Sequence, residues 1–247
     1  MIFPEWTTFN ITLYAFFAIL AIGVGPAEYF GASMMNYSKF RKGTGISGRA
    51  GMAFLYFLPF VAITFVAWSY LLTATLVQWM VYLTVAFHFV KRVLESLFVH
   101  QYAGKIDLFT TFMIASFYSL AAGMLGWLNR TPLPAPDVWF YLGILLYLVG
   151  IIGNFYHHKL LAELRKNSLD YFIPKGGLFE YVVCPHYLFE ILIWLGIALL
   201  SRHLVAWIIL LFIVLYLVTR SWRALQWYHE KFKDFPKDRK GILPFVM

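Results

Sequence analysis

Charge is scarce in this sequence. Only 13% of its 247 residues are Asp, Glu, Lys or Arg, whereas 61% are hydrophobic. A soluble domain carries about a quarter charged residues, so the composition describes a polytopic membrane protein. Cysteine is almost absent. Cys184 stands alone, which excludes an intrachain disulfide and leaves packing as its expected role. Metal-binding patterns are missing as well. Seven histidines are present, yet no H-E-x-x-H occurs, and the adjacent His157 and His158 point in different directions on a helix. No metal is expected. No G-x-G-x-x-G follows a strand, so any dinucleotide must be held by helices and loops rather than by a soluble Rossmann unit. The start, M-I-F-P-E-W, has no basic stretch before the first apolar run, and that run is expected to be retained rather than cleaved. The basic residues are dispersed through loops, so nucleic acid is not an expected partner.

Apolar length is what the sequence has in abundance. A spanning helix needs about 20 mostly apolar residues. Such windows fall at 10–32, 51–72, 73–92, 107–128, 137–160, 179–200 and 203–222, with the second and third nearly continuous around Leu72 and Thr73. They predict an all-α integral membrane bundle of seven transmembrane helices. P-L-P-A-P at 132–136 marks a loop between the fourth and fifth. Charge agrees with this count. With seven spans, 18 of the 20 basic residues share the side of the C-terminus, among them Lys39, Arg41 and Lys42, and only Arg130 and Arg202 lie opposite. The positive-inside rule then places the C-terminus in the cytoplasm. The membrane is the endoplasmic reticulum if the source is eukaryotic and the inner membrane if it is bacterial. The net charge of +8 suits contact with anionic membrane lipids.

Ionisable groups inside apolar segments mark functional sites by default. They concentrate between Asn154 and Trp194. Asn154, His158 and Arg165 fall within about 40° on a helix extended through Arg165. Arginine suits a phosphate because its planar fork donates two hydrogen bonds. The alternative is that Arg165 and Lys166 simply end the helix. The Pro174-Lys175-Gly176-Gly177 loop can turn tightly and bring backbone close to an anion. His186, Glu190 and Trp194 repeat every four residues on one face. There, Glu190 either meets a ligand or an arginine, or makes a structural hydrogen bond with His186. His88, Arg92 and Glu95, with Lys91 adjoining, form a polar face at the end of the third span. Its structural alternative is a helix-end cluster with an Arg92–Glu95 pair. Arg220, Arg223, Trp227 and Tyr228 either hold an adenosine phosphate beside aromatic planes or anchor the helix at the interface.

Four of these stretches carry a resemblance. G-N-F-Y-H-H-K-L-L-A, I-P-K-G-G-L-F-E-Y, C-P-H-Y-L-F-E-I and the ending Y-H-E-K-F-K-D-F-P-K-D-R-K-G-I-L-P-F-V-M resemble the C-terminal domain of the steroid 5-alpha-reductase family. F-H-F-V-K-R-V-L-E-S-L-F-V-H (87–100) is most similar to its trans-2-enoyl-CoA reductase branch. The resemblance implies a single domain that reduces a conjugated C=C bond in a lipid with NADPH. Residues 1–136 would shape the substrate pocket and 137–247 would hold the cofactor.

The resemblance also assigns roles. Asn154, His158, Arg165, Tyr171, His186, Glu190, Trp194, Arg220, Arg223 and Tyr228 match cofactor-binding positions, with Glu190 receiving the nicotinamide amide and Trp194 a wall beside it. Tyr187 of C-P-H-Y and Lys91 of K-R match the catalytic positions of the enoyl-CoA branch. Tyr56, Phe57, His88, Phe89, Arg92 and Glu95 fall on the substrate side. Several positions depart from the family. His186 replaces an Asn, and Ala224 and Leu225 replace histidines. Tyr56-Phe57 stands where steroid-reducing members have Gln-Glu, and Phe89 replaces their Tyr. Both keto-binding groups of those members are thereby absent. The expected substrates are therefore a very-long-chain trans-2-enoyl-CoA, then a 4-ene-3-oxosteroid, then a polyprenol. A membrane methyltransferase would want an R-H-P-x-Y signature, and a transporter a repeated half; neither is found.

Overall fold

The computed structural model describes residues 1–31, 45–102, 104–168 and 170–246. Lys39, Arg41 and Lys42 of the charge asymmetry lie outside the described residues. Seven long α-helices run in chain order: α1 (Thr8–Tyr29), α2 (Gly48–Ala67), α3 (Leu76–Leu94), α4 (Leu108–Leu128), α5 (Val138–Leu164), α6 (Pro185–Ser201) and α7 (Leu204–Lys231). The only sheet among the described residues is the short antiparallel pair of β1 (Ile46–Ser47) and β2 (Lys105–Ile106).

Five helices, α1, α2, α4, α5 and α7, are long and apolar enough to cross a membrane. The sequence counts seven spans, and the two that fall short have physical reasons. Predicted span 73–92 becomes α3, whose inner positions include the buried polar residues Gln78, Thr84, His88, Lys91 and Arg92. Predicted span 179–200 begins as α-helix only at Pro185, after the 3-10 turn Gly177–Glu180. Proline favours the first helical turn and disfavours helix in the residue before it. Val183 N–H instead donates to Lys240 O and Cys184 N–H to Gly241 O, so this stretch pairs with the end of the chain.

Side-chain caps fix several boundaries. Thr75 and Gln78 form a reciprocal capping box at the start of α3. The preceding 3-10 turn Leu71–Thr73 separates α2 from α3 where the hydropathy runs on. Asp107 caps α4 by accepting from Thr110 N–H. Asp137 accepts from Phe140 N–H and from Arg202. These contacts hold the Asp137 carboxyl below its ordinary range, the Phe140 hydrogen bond first among them.

The chain divides into two compact units. The first contains residues 1–3, the described part of 34–145, and 196–206; the second contains the described parts of 4–33, 146–195 and 207–247. In the first unit α2 packs on α3 and α4. Val77, Val81, Leu133, Phe140 and Leu200 form an apolar core there. Gln78 and Asn129 exchange side-chain-to-carbonyl hydrogen bonds of 2.8 and 2.9 Å, which tie the start of α3 to the end of α4. In the second unit Gly150 and Gly153 of α5 leave room for Phe189 and Ile193 of α6. Small residues permit such close approach of apolar helices. Val183, Cys184, Ala224, Tyr228 and Phe235 form a core beside it.

Candidate functional site

Asn154 and Glu190 meet between two apolar helices of the second unit. Asn154 is 1% exposed. Its Nδ2 donates to the His186 carbonyl at 2.9 Å and to Glu190 Oε2 at 3.2 Å. Trp194 Nε1 donates to Glu190 Oε1 at 3.1 Å. The carboxylate is thereby fixed at both oxygens. His186 contributes its backbone carbonyl here. Its ring lies 5.4 Å from the His158 ring and 4.4 Å from the Tyr187 ring. Asn154, His158, His186, Tyr187, Glu190 and Trp194 thus gather around one α5–α6 contact. Tyr187 also packs on the apolar cluster of Val183, Cys184, Ala224 and Tyr228.

The loop that follows α5 is built on glycine. Gly176 and Gly177 have φ of 87° and 53°, which other residues adopt only with strain. A Cβ on Gly177 would also sit 2.8 Å from His157 Nε2. His157 explains that crowding. Its Nε2 accepts from Leu178 N–H at 3.1 Å, so Nδ1 carries the proton and bonds the Gly153 carbonyl at 2.7 Å. His157 is a latch between helix and loop. Glu180 closes the loop from the other end by accepting from Gly176 N–H at 2.6 Å.

α5 stops at Leu164, one residue short of the expected helix through Arg165. Arg165 N–H turns back to the Ala162 carbonyl. Its guanidinium lies over the Tyr171 ring at 4.6 Å, and Tyr171 meets Trp227 edge-on at 5.0 Å. Trp227 in turn meets Tyr228 at 5.1 Å. Arg165, Tyr171 and Trp227 therefore form a cationic, aromatic group, backed by the buried Tyr228, suited to a phosphate beside a flat base.

Arg220 and Arg223 are engaged elsewhere in the second unit. Both donate to Oε1 of Glu28 on α1, at 3.0 and 2.8 Å. Glu28 is fully buried. It is absent from the sequence-predicted set, although a carboxylate inside the first apolar run is itself a signal. The helix that contains the expected last span, 203–222, runs on to Lys231, which keeps Arg220, Arg223 and Trp227 on one helix.

The first unit holds a second buried polar cluster. Glu95 is 1% exposed. Lys91 Nζ lies 2.7 Å from its Oε1, and Arg92 pairs with its Oε2. Arg92 Nη2 also donates to the Tyr56 hydroxyl at 2.8 Å. The Tyr56 ring stacks on Tyr118 at 6.1 Å, and Phe89 meets Tyr118 at 5.8 Å. Glu95 opens a five-residue π-helical turn, Glu95–Val99, a deviation that clusters at functional sites. His88 is buried on the same helix. Tyr56, Phe89, Lys91, Arg92 and Glu95 are thus brought together. Phe57 is not; it is 47% exposed on another face of α2. Tyr118 joins the cluster without a signal that sequence spacing could supply.

A family profile described as 3-oxo-5-alpha-steroid 4-dehydrogenase matches residues 104–247. The chain is 38% identical over 168 residues to 3-oxo-5-alpha-steroid 4-dehydrogenase 1 of Rattus norvegicus, covering 65% of this chain and 64% of that one. It is 34% identical over 165 residues to the very-long-chain enoyl-CoA reductase of Dictyostelium discoideum, covering 65% and 55%. It is 31% identical over 178 residues to the polyprenal reductase of Xenopus laevis, covering 64% and 56%. The matches span less than two thirds of these relatives' lengths. Their identities lie close together, so they fix the family and not the branch. This chain belongs to the 3-oxo-5-alpha-steroid 4-dehydrogenase family, the steroid 5-alpha-reductases.

Proposed function

We propose that the protein is a membrane enzyme that reduces a conjugated C=C bond of a lipid with NADPH. One observation carries this reading: Asn154, Glu190 and Trp194 form a single hydrogen-bonded set on two apolar helices within the family-matched region. The donor set fits a dinucleotide. Asn154 and Glu190 would orient the nicotinamide amide, while Trp194, His158 and His186 line its surroundings. Arg165 over Tyr171, with Tyr228, would take a phosphate and the adenine, and Arg220 and Arg223 a further phosphate. Bound NADPH would supply hydride to the β-carbon of the double bond. Tyr187 would donate a proton to the α-carbon or steady the enolate oxygen, and Lys91 is the second catalytic candidate.

The lipid side is assigned to the first unit, where Tyr56, His88, Phe89 and Arg92 are buried. The leading substrate is a very-long-chain trans-2-enoyl-CoA, because the two keto-binding groups of steroid-reducing members are replaced. A 4-ene-3-oxosteroid follows, and then a polyprenyl lipid. NADPH oxidation by purified protein should be fastest with the enoyl-CoA in a panel holding all three. Faster oxidation with the steroid would reverse that order, and no oxidation with any of them would remove the reading. NADH in place of NADPH tests the phosphate role of Arg165: equal rates would count against it.

The same reading places seven spans in the membrane, α3 and α6 included, with the C-terminus in the cytoplasm. The 18-to-2 split of basic residues supports it. Reporter fusions at the two ends should report opposite sides, and ends on one side would exclude an odd number of spans.

A further inference from the structure

We propose that Glu28 is a positioning residue that pre-orients Arg220 and Arg223 for a phosphate group of the dinucleotide; this rests on the dinucleotide reading above. Glu28 lies near the end of α1 and is fully buried. Arg220 and Arg223 are three residues apart on α7, so they share a face. Their Nη1 atoms converge on one carboxylate oxygen, Oε1, at 3.0 and 2.8 Å. The other oxygen, Oε2, is buried and has no hydrogen-bond partner among the described residues.

That asymmetry distinguishes two purposes. A carboxylate that serves only to hold two helices would engage a guanidinium fork with both oxygens, the strongest arrangement. Glu28 instead receives both arginines on one oxygen, Oε1. Desolvation makes a buried ion pair weak support for a fold, and apolar side chains of similar volume do as well. What an ionic contact adds is direction. Each guanidinium carries five N–H donors in a fixed fork. Held by the buried carboxylate, each guanidinium keeps a set orientation. Arg220 lies over the Tyr216 ring at 5.6 Å, which fixes its plane further. The Arg223 side chain is 27% exposed against 3% for Arg220, so Arg223 is the arginine a ligand can reach first. Ordering long side chains before binding removes that cost from the binding step.

A double-mutant cycle on NADPH affinity tests this, using full-length protein in detergent. Glu28→Gln removes the charge and keeps the volume, and Arg223→Ala removes the guanidinium. Each is expected to raise the NADPH dissociation constant by about tenfold. The double variant should be no more than about threefold weaker than the weaker single variant, because both changes remove one interaction. A merely structural Glu28 would give losses that multiply, and that outcome overturns the proposal. Parental affinity in Glu28→Gln beside a weakened Arg223→Ala also overturns it while leaving the dinucleotide reading intact. Parental affinity in Arg223→Ala would instead remove this arginine from the dinucleotide site. Should Glu28→Gln not fold, Glu28→Asp keeps the charge and withdraws the oxygen by one methylene. The same tenfold weakening is expected of it, and parental affinity there overturns the assignment.

Discussion

Glu95→Gln is expected to lower stability by about 3–5 kcal/mol, the usual effect of removing one partner from a buried ion pair. Glu95 faces both Lys91 and Arg92, and all three side chains are at most 10% exposed. Solvent therefore does little to screen the two cations once the carboxylate is gone. The variant also withdraws support from Arg92, whose other end holds the Tyr56 hydroxyl. For a chain of this length such a loss corresponds to about 6–20 °C in melting temperature, readable by thermal unfolding in detergent. A second variant separates charge from packing. Replacing Lys91, Arg92 and Glu95 together by Met, Met and Leu removes every charge at once and should recover most of the loss, because apolar substitutes for a buried ionic triad are near neutral. The triple variant should nevertheless be inactive if Lys91 supports the reaction. A melting temperature for Glu95→Gln within about 2 °C of the parent would show that Glu95 is not the hub of this cluster.

The parts of this architecture that sequence could foresee are local. Glu190 and Trp194 are four residues apart on α6, as are Lys91 at the end of α3 and Glu95 in the turn that follows it, and both pairs form. The Gly176-Gly177 turn is written in residue type. Partners distant in sequence are a different matter. Spacing says nothing of Tyr56 meeting Arg92, 36 residues on, or of Glu28 meeting Arg220, 192 residues on. Hydropathy also misplaces the start of α6, because Val182 and Val183 read as apolar helix yet lie against the chain's end. The signal against helix was present in Pro185, which restricts Cys184 before it.

Tyr187→Phe is expected to reduce turnover by at least about 10²-fold while leaving NADPH affinity near that of the parent. The residue has two possible uses. Its ring packs against the core of Val183, Cys184, Ala224 and Tyr228 and lies 4.4 Å from the His186 ring. Phenylalanine preserves that packing and changes the apolar area little, so a residue kept for its ring alone would tolerate the change. A hydroxyl that donates a proton to the α-carbon, or steadies the enolate, contributes only in the transition state. General acid catalysis of that kind is worth about 10²–10⁴-fold, and its removal lowers kcat and kcat/KM together. Glu190→Gln should behave in the opposite order. Glu190 is held by Asn154 and Trp194, and its proposed ligand is the cofactor's amide, so dinucleotide affinity should fall before the rate of hydride transfer does. Single-turnover hydride transfer and NADPH titration on both variants separate these outcomes. Near-parental turnover in Tyr187→Phe would return Tyr187 to packing and leave Lys91 as the acid.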